Sequence, residues 1–136
     1  MASKYILDTH ALIWFLEGNK RLSQPAKAIM TANGSEMVLP IIALAEATII
    51  IERRRTTIPD VSKFLARVYA DPRIEIYPLT LDIFRRSMTS AGLDIPELHD
   101  RFIVSTGLYL QDLGHTVSIL TKDEIITDSG VLPVIW

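Results

Sequence analysis

Five short apolar runs punctuate this chain, and helical stretches separate them. The runs occupy residues 5–7, 37–39, 74–79, 117–121 and 131–136. Short apolar strands that alternate with helices need crossover connections. Such connections build a parallel sheet covered by helices on both faces. The expected fold is therefore α/β, a three-layer sandwich around a five-stranded, mainly parallel sheet. Pro133 inside the last run points to a sheet edge, because proline cannot donate to a strand ladder.

The intervening stretches carry their own signals. Residues 10–16 read as a helix stopped by Gly18 and Asn19. Ser23, Gln24 and Pro25 supply a hydroxyl cap and an early proline for a second, which Asn33 and Gly34 end. Residues 41–55 are long enough for a third despite their isoleucines, and residues 60–70 space Val61, Phe64, Leu65 and Val68 at helical intervals. Thr80 caps a helix running to Ser90 and ended by Ala91 and Gly92. Residues 100–113 form another, with Gly114 as its stop.

A length of 136 residues fits one domain spanning the whole chain. With 49% hydrophobic and 22% charged residues, a sizeable core can form and disorder is excluded. The 14 basic and 16 acidic residues leave a net charge of -2, so the chain is no bulk polycation. There is no cysteine, hence no disulfide framework, zinc–cysteine site or thiol nucleophile. The apolar run at residues 5–7 is too short for a signal peptide. Uncharged stretches such as residues 37–45 fall well below the ~18 residues of a membrane span. A soluble cytoplasmic protein without a membrane segment is expected.

Most acids, including Glu17, Glu36, Glu52, Asp71, Glu75 and Asp112, have polar or turn-forming neighbours and read as solvated surface. Four others keep unusual company. Between Ile41 and Ile51 only Glu46 and Thr48 are not apolar, so a helix there offers the carboxylate no polar face. An ionised carboxylate among apolar side chains costs several kcal/mol unless it is paired or binds a metal. A salt bridge would answer that need, and so would a functional site. Asp8 follows the first strand and Asp123 the fourth, and in open parallel sheets ligands bind beyond the carboxyl ends of strands. Asp8 would also serve as a helix cap. Asp100 opens the long helix, where a carboxylate is favoured by the helix dipole in any case.

Together the four could meet at one edge of the sheet. Crowded carboxylates repel each other and take raised pKa values unless a cation neutralises them. Hard oxygen donors without cysteine suit Mg²⁺ or Mn²⁺, and the matching chemistry is metal-assisted phosphodiester hydrolysis. Thr9 and Thr121 would hydrogen-bond the acids or water.

These residues resemble a known family. Residues 6–14, Ile-Leu-Asp-Thr-His-Ala-Leu-Ile-Trp, are similar to the opening of PIN domains in VapC-type toxins of bacterial toxin–antitoxin modules. The segments around Ala45-Glu46, His99-Asp100-Arg101 and Thr121-Lys122-Asp123 resemble the later acidic motifs, in order and over nearly the whole chain. The resemblance implies a PIN-like sandwich and a Mg²⁺- or Mn²⁺-dependent endoribonuclease. Asp8, Glu46, Asp100 and Asp123 would form its acidic site, with Asp8 and Asp100 as the most direct metal ligands. It further implies a homodimer silenced by a small antitoxin. Glu97 and Asp128 lie near these motifs in sequence.

Arg53, Arg54, Arg55 and Arg101 are candidates to hold RNA phosphates. Arg85 and Arg86 are weaker ones, since basic residues late in a helix also complement its dipole. No histidine pair has zinc-ligand spacing, and His10 and His99 read as supporting residues beside site acids. Trp14 and Phe15 read as core, although Trp14 could meet an antitoxin. Three other readings compete: a PIN-type module that binds RNA or a partner without cutting, a receiver-like phosphoacceptor domain and a haloacid-dehalogenase-type phosphatase. The receiver would need paired early acids and an aspartate ending a central strand, and the phosphatase would need Asp-x-Asp where Asp8-Thr9-His10 stands.

Overall fold

The computed structural model describes residues 3–136. Its elements run β1 (Ser3–Leu7), α1 (Thr9–Glu17), α2 (Gln24–Thr31), β2 (Glu36–Pro40), α3 (Ile41–Glu52), α4 (Val61–Ala70) and β3 (Ile74–Tyr77). They continue with α5 (Leu81–Ser87), α6 (Ser90–Leu93), α7 (Leu98–Asp112), β4 (Thr116–Leu120), α8 (Glu124–Ser129) and β5 (Val134–Ile135). The strands form one sheet in the order β3-β2-β1-β4-β5, and every pairing is parallel. The α/β sandwich expected from the alternating runs is the observed one. β5 takes an edge, with Pro133 just before it; the carbonyl of Pro133 accepts from the amide of Ile119 at 2.9 Å.

This strand order decides where a ligand can sit. The chain builds outward from β1 through β2 to β3, then crosses back to add β4 and β5 on the other side. Right-handed crossovers in the two directions put helices on opposite faces. Accordingly α1 packs on α2 and α3, and α5 and α6 pack on α7. Between β1 and β4 the winding reverses, and the crevice beyond their carboxyl ends is the expected ligand site of such a sheet. The receiver fold has the order 2-1-3-4-5, so this topology rejects that rival.

The central strands are buried on both faces. Ile6, Leu7, Val38, Leu39, Ile119 and Leu120 are at most 1% exposed and form a core with Leu12, Met30, Phe64 and Ile103. Gly107 brings α7 against the sheet, since an added Cβ would lie 2.6 Å from Leu132 Cδ1 and 3.2 Å from Ile6 Cγ1.

Several helix limits differ from the sequence reading. The third helix ends at Glu52 rather than Arg55, because Arg54 turns to φ 55. The stretch after Thr80 breaks into α5 and α6, with Gly92 packed onto the backbone of Ser87. The long helix begins at Leu98 with Glu97 as its cap, so Asp100 lies in its first turn instead of opening it. The helix α8 was not expected; it is too short for apolar periodicity to reveal. Among the described residues, no helix is long and apolar enough to cross a membrane.

Candidate acidic site

The reversal of winding places Asp8 and Asp123 side by side. Asp8 leaves the end of β1 and caps α1, its Oδ1 accepting from the amide of Thr9 at 2.7 Å. Asp123 follows β4 and caps α8, its Oδ1 accepting from the amide of Ile126 at 2.9 Å. Thr121 ties the two together. Its hydroxyl donates to Asp8 Oδ2 at 2.5 Å and accepts from the amide of Asp123 at 3.1 Å. Asp8 and Thr121 are both buried, at 8% and 1% exposure. Burial pushes the carboxyl of Asp8 above its ordinary value, against the Thr121 and Thr9 hydrogen bonds that favour the charged form.

Glu46 arrives from the other side of β1. Thr9, the first residue of α1, donates its hydroxyl to Glu46 Oε1, so the adjacent residues Asp8 and Thr9 join the β1 end to α3. The expectation that this carboxylate must find a partner is met, but its premise needs correction. Glu46 is only half-buried, because α3 exposes an apolar flank at Ile41 and Ile49. An all-apolar helix therefore did not mean a fully buried one.

Asp100 completes the group from the first turn of α7. Its amide donates to Glu97 Oε2 at 2.7 Å. Burial is the main cause that drives its carboxyl from 3.8 to about 7, followed by the charges of Asp8, Glu97, Asp123 and Glu46. Asp100 thus lies within reach of the charges of the other three acids singled out in the sequence. Glu97 joins them; its Oε1 meets His99 Nδ1 at 2.8 Å, and Glu46 Oε2 lies 3.8 Å from the same nitrogen. Glu97 lies near the motifs in sequence, but glutamate is not a favoured helix cap, so its role at the start of α7 was not legible. Asp128 is exposed on α8 and is absent from the charges that act on Asp100.

Two cavities flank the acids. One of about 400 Å³ runs along α3 between Ile42, Ala45, Glu46, Ile49, Ile50, Arg53 and His99. The other, about 310 Å³, is lined by Asp8, His10, Ala11, Trp14, Lys122 and Asp123. Arg53 therefore shares a cavity with a site acid, whereas Arg54 and Arg55 line neither. Arg101 donates its Nε to the carbonyl of Ile95 at 2.7 Å and so pins the loop before α7. Arg85 and Arg86 are engaged by Asp82 and Asp112. Of the acids read as plain surface, Asp71 and Glu17 are half-buried, held by Arg73 at 2.7 Å and by the amide of Thr57 at 2.8 Å, while Glu36 and Asp112 stay exposed and pair with Lys4 and Arg86. Trp14, read as core, is half-buried at the second cavity.

The converging donors are all oxygens, from carboxylates and threonine hydroxyls, and they crowd negative charge into one crevice. That donor chemistry fits a hard divalent cation. Among the described residues, no three His, Asp or Glu side chains close into a metal cage. An open carboxylate edge is what Mg²⁺ uses, since it keeps several waters and takes only one or two carboxylates.

Comparison with known proteins agrees with this fold. The family model of the PIN domain matches residues 5–127. Among curated proteins, no sequence matches the chain. Among solved structures, a toxin–antitoxin complex from Klebsiella pneumoniae has a similar chain, at 17% identity and a TM-score of 0.65, covering 100% of this chain and 97% of that one.

Proposed function

Because the chain belongs to the PIN domain family, we propose that it is a Mg²⁺- or Mn²⁺-dependent endoribonuclease acting in the cytoplasm, as the toxin of a toxin–antitoxin pair. What supports this reading is the hydrogen-bonded arrangement in which Thr121 links Asp8 to Asp123 at the strand ends and Thr9 holds Glu46, with Asp100 entering from the first turn of α7. Asp8 and Asp100 would hold the cation most directly, with Glu46 and Asp123 completing the acidic edge. A divalent cation held there supplies charge neutralisation for the phosphodiester and a more acidic water.

The chain's own residues do the positioning. Thr121 and the amide of Thr9 fix both oxygens of Asp8, and the Thr9 hydroxyl fixes Glu46. Asp123 has its Oδ1 tied to the start of α8, which leaves Oδ2 to accept from a water. Each carboxylate oxygen has two lone pairs, so a hydrogen bond to threonine still leaves room for a ligand. Arg53 is the arginine placed to hold an RNA phosphate near the acids. Among the sequence candidates, Arg54, Arg55 and Arg101 are assigned at most outlying contacts. The similarity to a chain from a toxin–antitoxin complex supports an antitoxin partner, and a homodimer belongs to the same proposal.

The direct test is single-stranded RNA incubated with purified, antitoxin-free protein. Cleavage with Mg²⁺ or Mn²⁺ and none in EDTA is expected. Cleavage that persists in excess EDTA rejects the metal-dependent mechanism.

A further inference from the structure

The cavity on the β4 side of the acids has an aromatic wall that the acidic chemistry does not use. His10 and Trp14 stand one turn apart on α1 and so share a face of it. Their rings lie 5.6 Å apart, and Trp14 meets Trp136, just after β5, at 5.8 Å. Arg21 stacks over Trp14 at 6.0 Å. A half-buried tryptophan braced on three sides is rigid, and here it lines the same cavity as Asp8 and Asp123. Lys122 forms part of the opposite wall and is exposed.

We propose that this cavity is a nucleobase subsite: it takes one unpaired base of the RNA strand against Trp14, with the tilted His10 ring at the edge of that base and Lys122 on the adjoining phosphate. The inference rests on the ribonuclease reading above and extends it to how the strand is held. Single-stranded RNA is gripped by stacking bases on aromatic side chains and by cations along the backbone. Only an unstacked base can enter, so the subsite selects loops and single strands over duplex. It also sets the register, because the stacked base fixes which phosphate reaches the acids. The cavity along α3, with Arg53 and Glu46, lies on the other flank of the acids. A strand held at both would cross them.

The chain has only two tryptophans, Trp14 and Trp136; the first lines the cavity and the second packs against it. Intrinsic fluorescence therefore reports on the subsite without a label. In EDTA, a short single-stranded oligoribonucleotide should quench the emission saturably. An oligomer of the same length made of abasic ribose phosphate should quench little. Trp14→Phe, which keeps a ring, should bind RNA within a few-fold of the parent, and the exposed His10→Ala should weaken binding. Trp14→Ala should lose about tenfold or more. Equal quenching by the abasic oligomer, or unchanged affinity in both His10→Ala and Trp14→Ala, would overturn the subsite. So would emission that ignores RNA but responds to the co-expressed antitoxin, which would make the wall a protein contact. Base-dependent quenching without any cleavage supports the subsite and rejects the nuclease reading. Cleavage without base-dependent quenching does the reverse.

Discussion

Asp100 is the residue whose protonation matters most to this chain. Its carboxyl is raised to about 7 and that of Asp8 is raised as well, so near neutral pH the folded protein binds more protons than the unfolded chain. Stability then falls as pH rises wherever the folded state is the better proton binder. The oppositely shifted acids Glu17, Asp71 and Glu97 are lowered in the fold. Their stabilisation is complete above the ordinary carboxylate range, so they do not mask the effect at higher pH. Thermal melts of metal-free protein should show a higher Tm at about pH 5 than at about pH 8. Asp100→Asn should flatten that dependence, and Mg²⁺ should raise Tm more at the higher pH. A second expectation concerns Thr121, whose hydroxyl is the donor to buried Asp8. Thr121→Val keeps the shape and leaves a carboxylate without its donor, costing about 1.5–3 kcal/mol in urea unfolding at about pH 8. The cost should shrink near pH 5, where Asp8 takes a proton more readily.

Among elements, the join between α5 and α6 shows where sequence patterns stop being informative. Thr80 as a cap was legible, but the expected end at Ala91 and Gly92 falls inside α6, and the break at Met88 and Thr89 was not legible. It follows from Gly92 lying against the Ser87 carbonyl, where an added Cβ would come within 2.3 Å of a backbone oxygen. Gly92→Ala should therefore destabilise by about 1–3 kcal/mol, measured by denaturant unfolding, although alanine is the better helix former. The strands were legible because parallel, doubly buried strands are continuous apolar runs, and the edge position of β5 was legible from Pro133. The four acids were legible for a related reason: Asp8 and Asp123 stand at strand ends, and Glu46 interrupts an apolar helix. His99 was legible as a supporting residue and Glu97 as a neighbour of the motifs, but the link that joins them to Glu46 was not, since it depends on α7 approaching α3 across the crevice. Trp14 does pack against the core as read, but an apolar face could not show that its other side lines a cavity.

For the whole molecule, the distribution of charge matters more than its total. Setting the four site acids aside leaves 12 acidic against 14 basic residues. The net charge of -2 thus averages an acidic crevice with a mildly basic remainder. On the proposed function, RNA would not be drawn in by a global positive field and would be held by few contacts, chiefly Arg53, Lys122 and the aromatic wall. Binding of a short single strand should accordingly show a shallow salt dependence, with a slope of log affinity on log salt of roughly -1 to -2 for two phosphate contacts. A much steeper slope would mean that additional cations, such as Arg54 and Arg55, carry the strand. The same crevice explains why a sheet wound in this order suits the chemistry, since only at the reversal between β1 and β4 do two strand-end aspartates become neighbours.

These acids are proposed to make the protein a metal-dependent ribonuclease, and that is tested side by side. The cleavage rate of a labelled single-stranded RNA is compared at saturating Mn²⁺ for the parent, Asp8→Asn and Asp100→Asn, each checked for folding by circular dichroism. A nuclease built on this site loses more than about a hundredfold in rate with either substitution, beyond the loss for residues that only orient a metal ligand. Two folded variants that cut RNA at the parental rate would contradict it.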